Sequence, residues 1–533
     1  MAGTDLQGTG RKKLRWQLTL IILAMGVIKF VTHMLISGNY ELHRDAYLYI
    51  SYADNPQWGY ISNPPFIMTL SWLAVKVFGG SAFAIRFFPA VAGAICMVLV
   101  GRLTKELGGK KWAVITATTA YLVAPIFLRS NSLFQPVAFD QFFWFLYLFL
   151  FVKLLQTHNK NYWFVLGIVA GLGFLTKYTI VMPVALTTFF LIATRHRKLL
   201  WVPQFWGFII NVGILVTPNL IWQYNHNWPE LKHLQVLNET QLVNMSSGWF
   251  LGMQLIMFAP VLFIWIAGLY NLFVSKESRP YIVLGYSFLG IILLMLLLHA
   301  KPYYPAPFYM ILLVFGAIQW ETWLEEKYKL VLGFMIALMV AGTIPLLPLS
   351  LPYLKMDKML VFSETWQKRG FEAAFRWEDG VMHELPQDYA DMTGWRQTAR
   401  LTHEAWESLS DDEKAHAEIS GGNYGRTGAI NYYNRDDMKM PKAFCFDGSF
   451  MFWTPVSFEN ITTLIYVGVP DEEVKGLFEE DLLFARVEDP YFRENGTPIY
   501  ILKKAKPELA NRYLQLRSAI VEPNHRKPFE HNK

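Results

Sequence analysis

Long apolar runs separated by short polar loops fill the first two-thirds of the chain. Crossing the hydrocarbon core of a bilayer takes about 20 mostly apolar residues in a helix. By this measure the pattern predicts eleven spans, near residues 17–37, 86–104, 112–128, 136–153, 162–176, 178–194, 202–222, 248–273, 281–299, 303–320 and 329–352. The pattern is therefore typical of a polytopic, all-α membrane protein.

The pattern changes after residue 355, where charged positions mix with short apolar runs. Helical periodicity appears at 395–409 and 506–521, and strand-like runs appear at 442–447, 461–469 and 498–503. A segment of about 175 residues is long enough to build its own core. We therefore expect a transmembrane domain at 1–355 and a soluble α/β domain at 356–533.

The segment 38–85, between the first two spans, is expected to form an outer loop. Its apolar stretch 64–78 opens with Pro64 and Pro65 and is interrupted by Lys76. An amphipathic helix lying in the membrane interface fits this stretch better than a further span.

The distribution of basic residues predicts the orientation of the chain in the membrane. Cytoplasmic loops of membrane proteins carry an excess of Lys and Arg, and an N-terminus inside the cell places the basic clusters there: Arg11, Lys12, Lys13 and Arg15; Lys105, Lys110 and Lys111; Arg195, Arg197 and Lys198; Lys276 and Arg279. With an odd number of spans, the 356–533 domain is expected outside the cytoplasm, on a protein of the inner (plasma) membrane.

Composition agrees with this assignment and limits the classes of partner that we expect. The chain of 533 residues is 53% hydrophobic and only 17% charged, which is too apolar for an ordinary soluble protein. The net charge of +6 is accounted for by the loop clusters, so we expect membrane lipids and no nucleic acid among the partners. Cys96 lies in an apolar run and Cys445 in the soluble part, which excludes a disulfide framework.

Ionisable residues collect where predicted spans emerge on the outer side. Asp45 follows the first span and Lys301 follows the ninth. Others occupy comparable places, namely Arg129, Asp140, Lys177 and the string "NHNWPELKHL" at 225–234. An acid and cations beside a bilayer are suited to holding a lipid phosphate and acting on it, because charges at membrane depth usually face a cavity or a partner.

Each of these residues also has a structural interpretation. Arg129 and Lys177 would equally fit helix-end cations that reach lipid headgroups. Asp45 would fit a solvated loop acid or a helix cap, and Asp140 a hydrogen-bond partner inside the bundle.

Several strings carry a resemblance to a known family. The string "RDAYLYISYADNPQWGYISNPPF" (44–66) resembles the first outer loop of GT-C glycosyltransferases related to protein O-mannosyltransferases and lipid A aminoarabinose transferases. Further similar strings follow in order: "PVAFDQFFW" (136–144), "GLGFLTKYT" (171–179), "PNLIWQYNHNWPEL" (218–231) and "KPYYPAPFY" (301–309). In the soluble part, "DMTGW" (391–395), "NYGRTGAINYY" (423–433) and "LIYVGV" (464–469) are similar to the extracytoplasmic domain of bacterial members.

The resemblance implies a hexosyl- or pentosyltransferase that uses a polyprenyl-phosphate sugar. The acceptor would be a lipid, glycan or protein outside the cytoplasm, and the anomeric carbon would be inverted. Asp45 matches the catalytic aspartate, while Ala46 stands where members often carry a second acid. Asn63 precedes the double proline where relatives often have a basic residue or His.

The chemistry assigns roles to the collected residues. A hydroxyl acceptor needs a general base, for which Asp45 is the first candidate and Asp140 the second. The departing phosphate needs cations or donors, and the candidates are Lys301 first, then Tyr304 as a donor, with Lys177 and Arg129. Candidate substrate-binding residues are Tyr60, Asn63 and His226.

Two questions stay open at this stage. No cluster of ligand-spaced His, Cys or carboxylates indicates a tight metal site, but with a phosphate acceptor no base is needed and Asp45 would position groups or hold a divalent cation. A transporter or flippase of lipid-linked sugars is the alternative function. It should show paired internal repeats with interrupted helices, and the two halves of the chain show no such pairing.

Overall fold

The computed structural model describes residues 2–240, 246–324 and 328–525. Contacts between Cα atoms divide the chain into two units. The first unit takes in the residues up to Ser37, Arg86–Pro218 and Leu237–Tyr353, and the second takes in Gly38–Ile85, Asn219–Val236 and the residues from Leu354 onwards. The predicted outer loop 38–85 thus shares a unit with the C-terminal part of the chain.

The described residues form 24 α-helices and four strands. The helices are α1 (Ala2–Leu35), α2 (Arg44–Ser51), α3 (Phe66–Trp72), α4 (Ala82–Glu106), α5 (Lys111–Val123), α6 (Pro125–Ser130), α7 (Pro136–Thr157), α8 (Tyr162–Phe174), α9 (Val181–Ile192), α10 (Pro203–Asn225), α11 (Pro229–Thr240), α12 (Ser247–Ile256), α13 (Leu262–Val274), α14 (Ile282–Leu297), α15 (Ala306–Leu324), α16 (Lys329–Thr343), α17 (Leu347–Ser350), α18 (Met356–Lys368), α19 (Gln387–Ala390), α20 (Trp395–Glu407), α21 (Asp411–Ala415), α22 (Tyr424–Tyr433), α23 (Glu472–Gly476) and α24 (Leu509–Val521). The strands are β1 (Ala417–Ser420), β2 (Thr463–Val467), β3 (Phe478–Arg486) and β4 (Pro498–Ala505).

The apolar helices make this a multi-pass membrane protein. Among the described residues, six helices are long and apolar enough to cross a membrane, and the number is eight if each of two bent helix pairs is counted as one span. A helix lies at each of the eleven predicted positions, but the count of eleven spans is not confirmed. Several of these helices, such as α8 and α9, are only 12 or 13 residues long.

The first unit is a helical bundle with α15 in its interior. Residues Ala306–Phe315 are buried on every side of α15, as expected for a helix that is apolar all round. Gly268 of α13 and Gly316 of α15 sit directly against backbone oxygens of the opposite helix, so that a Cβ at either position would meet a carbonyl. Small residues allow these two helices to approach closely.

The second unit contains a mixed four-stranded sheet in the order β1-β2-β4-β3, with β1 parallel to β2 and the other pairs antiparallel. Side chains alternate across it: Ile465 and Ile501 face a core shared with α20 and α22, whereas Leu464 and Leu502 face a core shared with α24. The predicted helices 395–409 and 506–521 and two of the three predicted strands are present. The prediction of a strand at 442–447 is wrong, since only an isolated bridge joins Phe444 to Ser420.

Candidate functional site

Asp45 lies in the first turn of α2, in the second unit. His43 is the N-cap of this helix, and its Nδ1 accepts a hydrogen bond from the Asp45 backbone N at 3.2 Å. The hydroxyl of Tyr424, from the start of α22, donates to Asp45 Oδ1 at 2.8 Å. The Asp45 side chain is still 31% exposed. The carboxylate is therefore held by directional contacts and remains accessible.

His43 connects Asp45 to two further acids. Its Nε2 lies 3.7 Å from Asp388 Oδ1 and 3.7 Å from Asp391 Oδ2, and its Nδ1 lies 3.9 Å from Asp45 Oδ2. Burial alone would lower the pKa of His43, but the nearby carboxylates of Asp388, Asp45 and Asp391 outweigh it and raise the pKa. The acids around it therefore raise the pH at which the ring takes up its second proton, whereas the ring that accepts from the Asp45 backbone N is the neutral form.

Asp391 is buried beneath this histidine. Burial raises the pKa of its carboxyl, although His43 and Arg493 act in the opposite direction. Arg493 Nη1 contacts both carboxylate oxygens at 3.3 Å. The acid thus lies between Arg493 and His43, which fixes its position.

Arg44 extends the network on the other side of Tyr424. Its guanidinium lies over the Tyr424 ring at 4.4 Å, and its Nε lies 3.6 Å from Glu494 Oε1. Glu494 also pairs with Arg426 at 3.2 Å. Burial and the charge of Asp45 raise the pKa of Tyr424 above its usual value, so its hydroxyl stays protonated and able to donate.

Residues of two of the quoted sequence strings pack around α2 or the segment that leads into it. In "NYGRTGAINYY", Gly425 and Gly428 face α2, and a Cβ on Gly428 would lie 2.8 Å from the Tyr47 backbone. In "DMTGW", Gly394 has φ +78, which favours glycine, and the Glu41 carboxylate accepts from the backbone N of Trp395 and Arg396 at the start of α20.

Sequence reasoning missed the partners of Asp45. His43, Tyr424, Asp388 and Asp391 were not among the candidate residues. Tyr424 and Asp391 lie in the strings quoted above, so those strings carried the signal without revealing which acid their residues contact.

A second cluster lies in the first unit around Lys177, which precedes a short helical turn at Tyr178–Ile180. Its Nζ lies 4.1 Å from the centre of the Tyr304 ring and 5.4 Å from that of Tyr303. Asp140 and Lys301 are close enough to interact electrostatically with it. Four of the predicted residues, Asp140, Lys177, Lys301 and Tyr304, are thus brought together.

Asp140 is the buried member of this cluster. Its side chain belongs to α7 and is almost inaccessible, and both carboxylate oxygens accept from Thr179 Oγ1, at 2.9 and 3.0 Å. This geometry suits an acid that supports the Lys177 turn. The loop after α14 is anchored separately, since Gln254 Nε2 donates to Pro302 O at 2.8 Å and Tyr309 donates to Gln254.

Arg129 lies in the first unit, on the short helix α6. The two carbonyls that precede it are satisfied by α1: Lys29 Nζ donates to Phe127 O at 2.9 Å, and His33 Nε2 bonds Leu128 O at 3.1 Å. The end of α6 that carries Arg129 is therefore held by side chains from another helix.

The candidate substrate-binding residues lie in the second unit. Tyr60 is fully buried, stacks on Tyr52 with ring centres 3.7 Å apart, and its hydroxyl donates to Asn55 O. Asn63 is buried and donates to Ser62 Oγ. These contacts order the 38–85 segment, and a substrate contact at either residue stays a prediction.

His226 stacks on Trp222 with ring centres 4.0 Å apart, and its Nδ1 bonds Trp222 O at 2.7 Å. It also lies near His525, with ring centres 4.7 Å apart. Burial lowers the pKa of His226, so this ring is neutral at physiological pH. Its role in substrate binding stays a prediction.

Among the described residues, one group of side chains has the composition and spacing to hold a metal ion. It comprises His403, Glu407 and Asp437, whose ligand atoms lie within 4.8 Å of one another. These groups already have protein partners, because His403 Nε2 lies 3.1 Å from Asp437 and Lys414 pairs with Glu407. Their contacts assign no catalytic role to them.

Comparison with known proteins supports the fold. Residues 62–222 match the sequence model of the family described as dolichyl-phosphate-mannose-protein mannosyltransferase. In sequence, the chain matches none of the curated proteins with which it was compared.

Two solved structures resemble the chain over nearly its whole length. ArnT from Cupriavidus metallidurans in the apo state is 13% identical, with a TM-score of 0.60 and coverage of 92% of this chain and 98% of that one. The same protein bound to undecaprenyl phosphate is 12% identical, with a TM-score of 0.57 and coverage of 90% and 97%. At this identity the likeness shows the fold: an α-helical GT-C membrane protein with a C-terminal α/β domain, as the resemblance implied.

Proposed function

We propose that this chain is a membrane glycosyltransferase that moves a sugar from a polyprenyl-phosphate-linked donor to an acceptor outside the cytoplasm, with inversion at the anomeric carbon. The observation that carries the proposal is the match, over nine-tenths or more of both chains, to a protein bound to undecaprenyl phosphate. The family model over residues 62–222 points to the same chemistry, since its description names a lipid-phosphate sugar donor.

Asp45 is proposed as the general base. As the acceptor hydroxyl attacks the anomeric carbon, its proton passes to the carboxylate, the new glycosidic bond forms, and the bond to the phosphate oxygen breaks. A base must lie within hydrogen-bond reach of the proton it takes. Asp45 suits this role because Tyr424 engages Oδ1 while the side chain keeps 31% of its surface exposed.

Lys177 and Lys301 are proposed to bind the donor phosphate. Charge grows on that phosphate as the sugar leaves, and preorganised cations stabilise it. Support for Lys177 comes from the rings of Tyr303 and Tyr304, which lie against its ammonium. In this assignment Tyr304 contributes its ring in addition to its hydroxyl, and Asp140 supports the turn that carries Lys177.

A reconstitution assay tests the function. The purified full-length chain is placed in nanodiscs with polyprenyl-phosphate sugars, and release of free polyprenyl phosphate is measured with and without an acceptor extract of the cell envelope. A transferase releases free polyprenyl phosphate in step with sugar incorporation. A flippase moves the intact lipid between leaflets and releases none, so that result would replace the proposal with the transport alternative.

Mass spectrometry of envelope glycolipids, glycans and glycoproteins identifies the acceptor in parallel. Cells that produce the chain should contain a saccharide-modified species that is missing from cells without it. An identical set of species in both would contradict the proposal.

A further inference from the structure

Contacts with residues other than Asp45 already fix the position of Tyr424. Its backbone N donates to Asp447 Oδ2 at 3.2 Å, and its ring is covered by the Arg44 guanidinium at 4.4 Å. The side chain of the N-cap residue Asn423 accepts a hydrogen bond from the Arg426 backbone N. This cap places the start of α22 at Tyr424. The phenol therefore has one fixed direction, and its hydroxyl points at Asp45 Oδ1.

The helix that carries Tyr424 is closely packed against the helix that carries Asp45. Gly425 leaves no room for a Cβ between Arg44 and Trp395, and Gly428 leaves none against Tyr47. Further along, the Tyr433 and Tyr47 hydroxyls are 3.1 Å apart. Close packing resists displacement, so we expect α2 and α22 to behave as one rigid pair.

His43 holds the other side of the acid. It accepts from the Asp45 backbone N and faces Asp45 Oδ2, while Asp388 and Asp391 surround its Nε2. Both acids belong to the C-terminal part of the chain. The carboxylate of Asp45 thus lies between a donor on α22 and a histidine oriented by the segment that leads into α20.

We infer that Tyr424 is a positioning residue for sugar transfer, and that the C-terminal domain takes part in catalysis by orienting the Asp45 carboxylate through Tyr424 and His43. This inference rests on the proposed function, in which Asp45 is the base. An aspartate in the first turn of a helix has two rotatable side-chain bonds. A hydrogen bond at Oδ1 selects one rotamer of the carboxylate that is proposed to take the acceptor proton.

The test is the full-length Tyr424→Phe variant in the reconstitution assay, with kcat, KM for the donor and the pH–rate profile measured. Loss of a hydrogen bond to a charged group should lower kcat about 10-fold or more, with KM for the donor unchanged. The acidic limb should move to higher pH, because a donor that favours the carboxylate form is gone.

Other titratable or charged groups around Asp45 contribute to that profile. They are His43 and Arg44 from its own segment and Asp388 and Asp391 from the segment before α20. His43→Gln separates the histidine contribution, since an amide still accepts from the Asp45 backbone N. It should lower kcat with KM unchanged, and it carries the test if Tyr424→Phe fails to fold.

The matched control is Tyr433→Phe. It also removes a tyrosine hydroxyl from α22, but this hydroxyl contacts Tyr47 and not Asp45. It should leave kcat and the pH profile as in the wild type. A folded Tyr424→Phe protein with wild-type kcat and profile, while Asp45→Asn is inactive, would overturn the positioning role alone. An active Asp45→Asn variant would overturn the proposed base itself.

Discussion

Asp45 in the second unit is held by hydrogen bonds with Tyr424 and His43, whereas Lys177 in the first unit is held against aromatic rings. Tyr424 and His43 give the carboxylate a direction. The faces of Tyr303 and Tyr304 attract the ammonium without taking up its N–H donors. The contrast matches two different tasks, because a base must point at one proton while a cation must offer donors to several phosphate oxygens.

The largest expected effect concerns Asp45, whose carboxylate is held in one direction. Asp45→Asn keeps the shape of the side chain and its contact with Tyr424 but removes the proton acceptor. Transfer to a hydroxyl acceptor should fall about 10²–10⁴-fold, while the binding of the donor lipid stays close to that of the wild type. Initial rates and donor titration in nanodiscs measure both.

The control is Asp54→Asn in the same 38–85 segment, where Asp54 pairs with Lys76 and Lys442. It should keep most of the transfer rate. Equal losses in the two variants would mean that both act through folding. The loss in Asp45→Asn would then not identify Asp45 as the general base.

The next effect concerns the cationic side. Lys177→Met and Lys301→Met should each weaken binding of the donor lipid by about 1.5–3 kcal/mol, the usual contribution of a hydrogen bond to a charged group. Fluorescence titration with a polyprenyl phosphate measures the change. Lys276→Met, at an exposed position of the first unit, is the matched control. Unchanged affinity in both lysine variants would transfer the phosphate role to Arg129.

A packing prediction tests the rigid pair that carries Asp45. Gly428→Ala places a methyl 2.8 Å from the Tyr47 backbone, and overpacking of this kind costs about 1–3 kcal/mol. The thermal unfolding temperature of the purified chain should fall. Gly476→Ala, where the methyl would meet nothing within 4 Å, should change it little. Equal melting of the two variants would show that α2 and α22 separate easily.

The smallest effect is a pH dependence at His43. The folded-state pKa of this histidine is raised above 6.5 by Asp388, Asp45 and Asp391 despite its burial. The stabilisation from its charge is therefore complete below about pH 6.5 and is lost as the pH rises through the folded pKa. His43→Gln should lower the melting temperature most at pH 6 and progressively less towards pH 9. A deficit that grows with pH would contradict the assignment.

The sequence predicted the first unit better than the second. Apolar length alone located every helix of the bundle, because burial in lipid or in the bundle interior requires continuous apolar runs such as α15. The count of eleven spans is not confirmed, because some predicted spans are divided into two helices, as at Pro125 between α5 and α6. In the second unit, β3 was missed because the exposed residues Glu479, Glu480 and Asp481 leave no alternating apolar pattern.

The candidate site divides in the same way. Lys301, Tyr304, Lys177 and Arg129 were predicted together as phosphate-binding candidates, because polar groups at the ends of apolar runs are rare enough to be noticed. The partners of Asp45 were not, because Tyr424 and Asp391 lie more than 340 positions further along the chain, in a part whose polar residues look ordinary. Contacts between distant segments leave no local pattern in a single sequence.

The hydrogen bond between Asp45 and Tyr424 joins residues 379 positions apart. At about 5–20 residues per second, a ribosome needs roughly 20–80 s to travel from one to the other. For most of that interval the nascent 38–85 segment has neither Tyr424 nor Asp391 to pair with. A chain interrupted before residue 424 carries the acid without the partners that orient it. Biosynthesis thus delays the assembly of this network until most of the polypeptide has been made.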